Sequence, residues 1–224
     1  MNNLPIVYLD LETAPADPAN WLPAEPIEAP ANYRDPDKIA AYIAEATSKA
    51  HGRTGLDVHA GRLLCAAVAV DDDEPECVYD ESLTSCLPML TLIADAITEA
   101  SKRGNGRFLV CGHNIAGFDV PWLWRLAVKH RHRLANLLPY RKWGDGLADT
   151  MQMWSITDPK QMVKLDTIAR FLGYDGKEPG MDGAEVWPAY LRGEHDRIQR
   201  YCKGDVRLVR SVYLRMVGRD PVAF

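Results

Sequence analysis

The amino-acid sequence predicts an α/β fold: a mixed β-sheet flanked by helices. Three observations carry that prediction. Strand-like segments rich in branched and aromatic residues come first. Amphipathic stretches of helical period alternate later, and no repeat or low-complexity tract interrupts the order.

Taken in order, Leu4 to Leu11 (LPIVYLDL) reads as a buried strand. The composition then changes. Six of the fifteen prolines fall between Pro15 and Pro36, where a fixed φ and a missing N–H oppose a packed helix or a central strand. Beyond Pro36, the residues Ile39, Tyr42, Ile43 and Ala46 share one helical face and predict a helix over 37–50. Residues 14–60 are therefore read as a Pro-rich insertion after the first strand, within a single domain covering 1–224. A connection of that length in a compact domain is usually functional or mobile. Arg62 to Val70 is the second predicted strand, and Glu76 to Tyr79 a third after the turn at Asp71 to Pro75. Leu87, Leu90, Ile93, Ala94 and Ile97 predict a helix to about Lys102, stopped by Gly104. Arg107 to Cys111 predicts a further strand. Asp119 and Pro121 then open a helix through Trp122, Leu126 and Val128, because aspartate caps helix starts and proline suits the first turn. Met162 to Leu172 and Glu194 to Val217 predict two more helices, joined by a Gly-rich connection.

Composition sets outer limits. With 26 Lys+Arg, 31 Asp+Glu and 47% hydrophobic residues, the chain is neither disordered nor collagen-like. Its longest apolar run, Leu63 to Val70, is eight residues, far short of the roughly 20 that span a bilayer. No basic-then-apolar leader precedes the first strand. Five cysteines without a CxxC indicate neither a disulfide framework nor a zinc knuckle. The expectation is a soluble cytoplasmic protein with no membrane partner. A net charge of −5 argues against an electrostatic grip on long duplexes. Any nucleic-acid contact is expected to be local and short, or metal cations must offset part of the acidity.

Four acids stand out by position. Asp10 and Glu12 lie two apart at the end of the first strand and so project from one face. Side by side they repel unless a cation lies between them, although both could also be solvated where a strand simply ends. Asp119 follows Asn114 in the segment CGHNIAGFDVPWL, where a helix cap is the plainer reading. Tyr201 and Asp205 are four apart on the last helix and share a face with Ile198, Leu208 and Val212. An aspartate on an apolar face is costly to bury unless something neutralises it. Arg200, Lys203, Arg207 and Arg210 form a stripe on the other side, read as a solvated face.

Together, YLDLET, GHNIAGFD and YCKGD resemble the three exonuclease motifs of the DEDD superfamily, whose fold is DnaQ-like or RNase H-like. A tyrosine four residues before the last aspartate resembles the DEDDy branch; the histidine branch would place histidine where Arg200 stands. KLDTIARFLGY and GAEVWPAYLRGEHDRIQRYCKGDV further resemble stand-alone exonucleases related to the proofreading domain of family B DNA polymerases, with no polymerase domain expected beside it. The resemblance covers about residues 5–216 and leaves 14–60 without a role.

The resemblance implies an RNase H-like mixed sheet and a two-metal 3′–5′ exonuclease. It would act on single-stranded nucleic-acid 3′ ends, DNA favoured over RNA, and release nucleoside 5′-monophosphates. Asp10, Glu12, Asp119 and Asp205 would hold two Mg²⁺ or Mn²⁺ ions, about 3.5–4 Å apart in sites of this kind. Asp10 would bridge them, Glu12 and Asp205 would complete one site, and Asp119 would bind the other. Tyr201 would orient the attacking water. Asn114, Phe118 and Thr13 are the candidate substrate contacts, Asn114 and Phe118 each with an ordinary structural alternative in a turn or in packing. Replication or repair proteins are candidate partners. Lys129, Arg131, Arg133, Arg141 and Lys142 form a basic neighbourhood that could track phosphates or complement a helix C-terminus. Asp149 and Asp166 are read as caps or loop acids, and Asp182 in the GMDG turn has no assigned role. The alternatives are a non-catalytic binding module and an internally cutting nuclease, both on the same fold.

Overall fold

A computed structural model of the chain describes residues 4–139, 146–156, 158 and 162–219. Strands β1 (Ile6–Ala14), β2 (Arg62–Val70), β3 (Glu76–Tyr79), β4 (Leu109–Gly112) and β5 (Leu147–Asp149) form one sheet in the order β3-β2-β1-β4-β5. β1 pairs antiparallel with β2 and parallel with β4, so it is the central strand of a mixed sheet. The helices are α1 (Pro36–Arg53), α2 (Leu87–Arg103), α3 (Asp119–Lys129), α4 (Thr150–Ser155), α5 (Leu165–Phe171), α6 (Val186–Leu191) and α7 (His195–Met216).

Strand alternation decides where the site lies. Val7, Leu9 and Leu11 turn to one face and pack with Leu90, Ile93 and Ile97 of α2 and Leu123 of α3. Ile6 and Tyr8 turn to the other face, against Ile168 of α5, Ala189 of α6 and Val206 and Val209 of α7. Each large apolar side chain fully buried this way contributes about 1.5–3 kcal/mol. A one-residue slip of β1 would invert that whole set, so the core locks Asp10 and Glu12 onto the α7 side. The strand continues to Ala14 because Asp10, Leu11 and Glu12 pair with Ala67, Ala66 and Cys65. It ends three residues later than its composition predicts.

The Pro-rich segment rejoins the sheet through a latch. Ala16 N–H donates to Thr54 Oγ1 (2.8 Å), Thr13 Oγ1 to the Gly55 carbonyl (2.6 Å) and Arg62 Nε to the Pro15 carbonyl (2.9 Å). Beyond the latch, α1 has no fully buried residue, and its predicted apolar stripe is only half-covered.

Three elements escape a pattern-based reading: β5 has three residues, and α4 and α6 six each. The helix predicted from Met162 begins at Leu165, because Lys164 is extended (φ −64°, ψ 146°). Arg210 corrects the solvated-stripe reading of α7. It is 1% exposed, and its Nη1 donates to the Asp71 and Asp73 carbonyls, each at 2.9 Å. The turn after β2 folds over that side of the helix, and its carbonyls need a buried donor. Among the described residues, no helix is long and apolar enough to cross a membrane.

Candidate active site

The four predicted acids converge at one end of the sheet. Asp10 and Glu12 come from β1, Asp119 from the first turn of α3, and Asp205 from the buried side of α7. Asp10 is pushed well above the usual carboxylate range, first by burial and then by the charges of Asp205, Glu12 and Asp119. Glu12 is raised by burial and by Asp205, and it hydrogen-bonds Asp10. Burial also raises Asp119, to about 8, against hydrogen bonds from its own N–H and that of Leu11. Each carboxylate thus perturbs its neighbours, which is the electrostatic signature of a shared site.

Asp119 is delivered by the loop between β4 and α3. The sequence assigns it a capping role, but Phe118 holds the N-cap position and no side chain caps α3. Asp119 is instead the first helical residue, where the helix dipole still favours a carboxylate. The loop is tied down from below by Asp149. Its carboxylate accepts from the N–H groups of Asn114 (3.0 Å), Ala116 (3.1 Å), Met151 (3.0 Å) and Gln152 (3.3 Å). The cap reading of Asp149 therefore holds for α4, and the same group also fixes the loop that carries Asp119. His113 braces the other side, with Nδ1 2.9 Å from Thr150 Oγ1 and Nε2 3.0 Å from the Val163 carbonyl. Burial lowers its pKa to about 4, so the ring is neutral. Asn114 has φ +58°, uncommon for a residue with a side chain. A Cβ on Gly117 would lie 2.5 Å from Asn114 Oδ1, so a side chain there would push the Asn114 amide aside.

Tyr201 and Asp205 share the buried face of α7, at 4% and 3% exposure. The Tyr201 hydroxyl hydrogen-bonds the Asp205 carboxylate. Burial, followed by Asp205, Glu12 and Asp10, holds this phenol far above its ordinary pKa, so it stays protonated. The neutralising group demanded by an aspartate on an apolar face is Lys177, which the sequence reading missed. Its Nζ pairs with Asp205 Oδ2 and donates to the Tyr201 hydroxyl at 2.8 Å. Burial alone would lower the Lys177 pKa, but Asp205, Asp10 and Glu12 outweigh it and hold it above normal. Asp205 is raised by burial in spite of this partner. Lys177 reaches the site from a turn in which Gly176 has φ +81°, and Asp166 Oδ1 accepts the Lys177 N–H at 2.7 Å. Asp166 is thus neither a cap nor a loop acid: it lies in the first turn of α5 and anchors the turn that presents Lys177.

The remaining candidates divide. The Thr13 hydroxyl is engaged by Gly55. Phe118 packs on Trp122, ring centroids 5.8 Å apart. Asp182 gains a structural role: Oδ1 accepts from Ala184 N–H and Glu185 N–H at 3.0 and 3.1 Å, shaping the turn into α6. Arg133 pairs with Asp95, whereas Lys129 and Arg131 are exposed. Arg141 and Lys142 lie outside the described residues.

The donor set suits a hard divalent cation. All four acids offer oxygen, and Asp10 Oδ2 is buried without a hydrogen-bond partner. Ligand atoms of Asp10, Glu12 and Cys202 lie within 4.8 Å of one another. Oxygen-binding ions favour the two carboxylates over the thiol.

A mixed sheet of this strand order with helices on both faces defines an RNase H-like domain. The family described as "Predicted 3'-5' exonuclease related to the exonuclease domain of PolB" matches residues 109–220. The chain belongs to this family. It is similar to a DNA polymerase of Red sea bream iridovirus, 26% identical over 125 residues, covering 46% of this chain and 13% of the viral protein. Its fold is similar to the family B DNA polymerase of the hyperthermophilic archaeon Pyrobaculum calidifontis, with a TM-score of 0.64 and 15% identity. That match covers 96% of this chain and 25% of the polymerase. The chain thus spans a quarter or less of the length of these two relatives.

Proposed function

We propose that this chain is a single DEDDy-type exonuclease domain. It would remove nucleotides from single-stranded 3′ ends, DNA in preference to RNA, and release nucleoside 5′-monophosphates. The observation that carries the reading is the convergence of Asp10, Glu12, Asp119 and Asp205, from three distant segments, around the buried unpartnered oxygen of Asp10. Its DNA-polymerase relatives support a nucleic-acid substrate, with DNA favoured.

Asp10, Glu12, Asp119 and Asp205 would hold two divalent ions, Mg²⁺ or Mn²⁺. When bound, these would activate the attacking water and stabilise the charge that develops on the phosphoryl oxygens. The chain's own groups do the positioning. Tyr201 stays protonated, so it would orient the water through a hydrogen bond at its hydroxyl rather than act as a base. Lys177 donates to the Tyr201 oxygen and would place a positive charge near the scissile phosphate. Asn114, in a left-handed conformation and with its N–H held by Asp149, would meet the substrate backbone.

Purified protein incubated with end-labelled single strands and Mg²⁺ or Mn²⁺ tests the proposal. Stepwise shortening from the 3′ end is expected, with no cutting of a covalently closed circle. Shortening that persists in Asp10→Ala, or binding without turnover in saturating Mn²⁺, would sink it.

A further inference from the structure

We propose that Cys77 and Cys65 form an oxidisable thiol pair, which hydroperoxides convert to a disulfide joining β2 to β3 behind the acid cluster. The two sulfurs are 3.1 Å apart and hydrogen-bonded. The pair is diagonal across the ladder: Cys65 lies opposite Tyr79, and Cys77 opposite Ala67. Cys77 is half-buried on the edge strand and is the accessible member, whereas Cys65 and Cys202 are buried. Cys202 is the third sulfur of the group, and its Sγ donates to the Asp10 carbonyl at 3.5 Å. On the other strand, Cys65 is the register partner of Glu12. The cluster therefore touches the backbone of both β1 acids.

Its asymmetry assigns the roles. Cys77, half-buried on the edge strand with Lys203 nearby, is the sulfur that a hydroperoxide reaches first, so it is the attacking thiol. The Cys77 thiolate attacks the distal oxygen of a hydroperoxide; the O–O bond breaks, an alcohol or water leaves, and Cys77 becomes a sulfenic acid. Cys65 sulfur then attacks Cys77 sulfur. The S–S bond forms, the S–O bond breaks, and the departing hydroxide takes the Cys65 proton as water. Two thiols are oxidised and one peroxide is reduced, with no other reactant.

The test is peptide mapping of the intact chain after brief hydrogen peroxide treatment and alkylation of the remaining thiols. A linked Cys65–Cys77 peptide, lighter by two hydrogen atoms and cleaved by a dithiol, is expected, with Cys86 and Cys111 still alkylated. In Cys65→Ser, Cys77 should stop as a sulfenic acid captured by a cyclic dione; Cys77→Ser should give neither product. Overturning outcomes are a Cys77–Cys202 link, or Cys77 alkylated as completely as before treatment. The readout is a mass, so it stands or falls separately from nuclease activity.

Discussion

Lys177 and Asp205, 28 residues apart in the chain, form an ion pair inside the acid cluster, and the same ammonium donates to the Tyr201 hydroxyl. One cation thus offsets a local excess of carboxylates while fixing the group that would orient water. Lys177→Met keeps the length of the side chain and removes the charge. Turnover should fall about 100-fold, the scale seen when one fixed donor at a reacting centre is removed. Single-turnover digestion at saturating metal checks this, and an unchanged rate would reduce Lys177 to a structural counter-ion.

Tyr201→Phe removes one hydroxyl from a protonated phenol and leaves every carboxylate in place. The expected result is a loss of rate of about 100-fold with near-normal Mn²⁺ affinity by titration calorimetry. A parallel loss of metal binding would mean that the hydroxyl organises Asp205 rather than the substrate.

The clustered acids also govern stability without metal. Asp119 is raised from 3.8 to about 8, chiefly by burial, and Asp10 and Glu12 shift in the same direction. A carboxyl whose folded pKa is raised contributes stability in full at pH below its unfolded value. That contribution is lost as pH climbs through the folded value. In a chelator, Tm should therefore decline from about pH 5 to pH 8. Added Mg²⁺ or Mn²⁺ should raise Tm more at pH 8 than at pH 5, because binding ions displace protons. Thermal scans across that range decide, and a chelated protein that gains stability toward pH 8 would contradict this account.

Asp10→Asn should separate activity from stability. It neutralises a group repelled by three acids and supplies a donor to carboxylates already in reach. The metal-free variant is expected to gain about 1 kcal/mol, a rise of roughly 2–4 °C in Tm for a chain of this size, while digestion stops. Denaturant and activity measurements on one preparation test both halves.

Asp149→Ala tests the brace. Four backbone N–H groups lose their acceptor, at about 1–3 kcal/mol for each one left unpaired and buried. Destabilisation of at least about 3 kcal/mol is expected, with activity lost through displacement of Asn114 and Asp119. Asp149→Asn, which retains an acceptor oxygen, should recover part of both.

Much of this was legible in the sequence because it depends on local pattern. Alternation along β1 and the four-residue spacing of Tyr201 and Asp205 follow from backbone geometry alone, so the faces bearing three acids and a tyrosine were predictable. What escaped depends on tertiary placement. Nothing near Lys177 in YDGKEPG distinguishes it from the other cations; only the folding of that turn against α7 does. Arg210 shares its stripe with exposed Arg200 and half-buried Lys203 and Arg207, and its burial comes from the turn at Asp71–Asp73 folding over it. β5 exists because β4 offers it a ladder, which three residues cannot advertise. Asp119 looked like a cap and proved to be the residue beside it, a difference set by the backbone of Phe118.

The course of β1 divides the proposed metal cradle into two mechanical halves. Asp10 and Glu12 ride on the outer reach of that strand, laddered to Ala67 and Cys65 of β2, whereas β4 pairs only with Ile6, Val7 and Tyr8. Asp119 is tied to that strand by the Leu11 N–H and braced through the Asp149 loop, whereas Asp205 rides on α7, which no ladder joins to the sheet. On the proposed two-ion reading, discrimination by ionic radius would then rest with α7: a small ion such as Mg²⁺ would demand that it close in, and a larger one such as Ca²⁺ would hold it away.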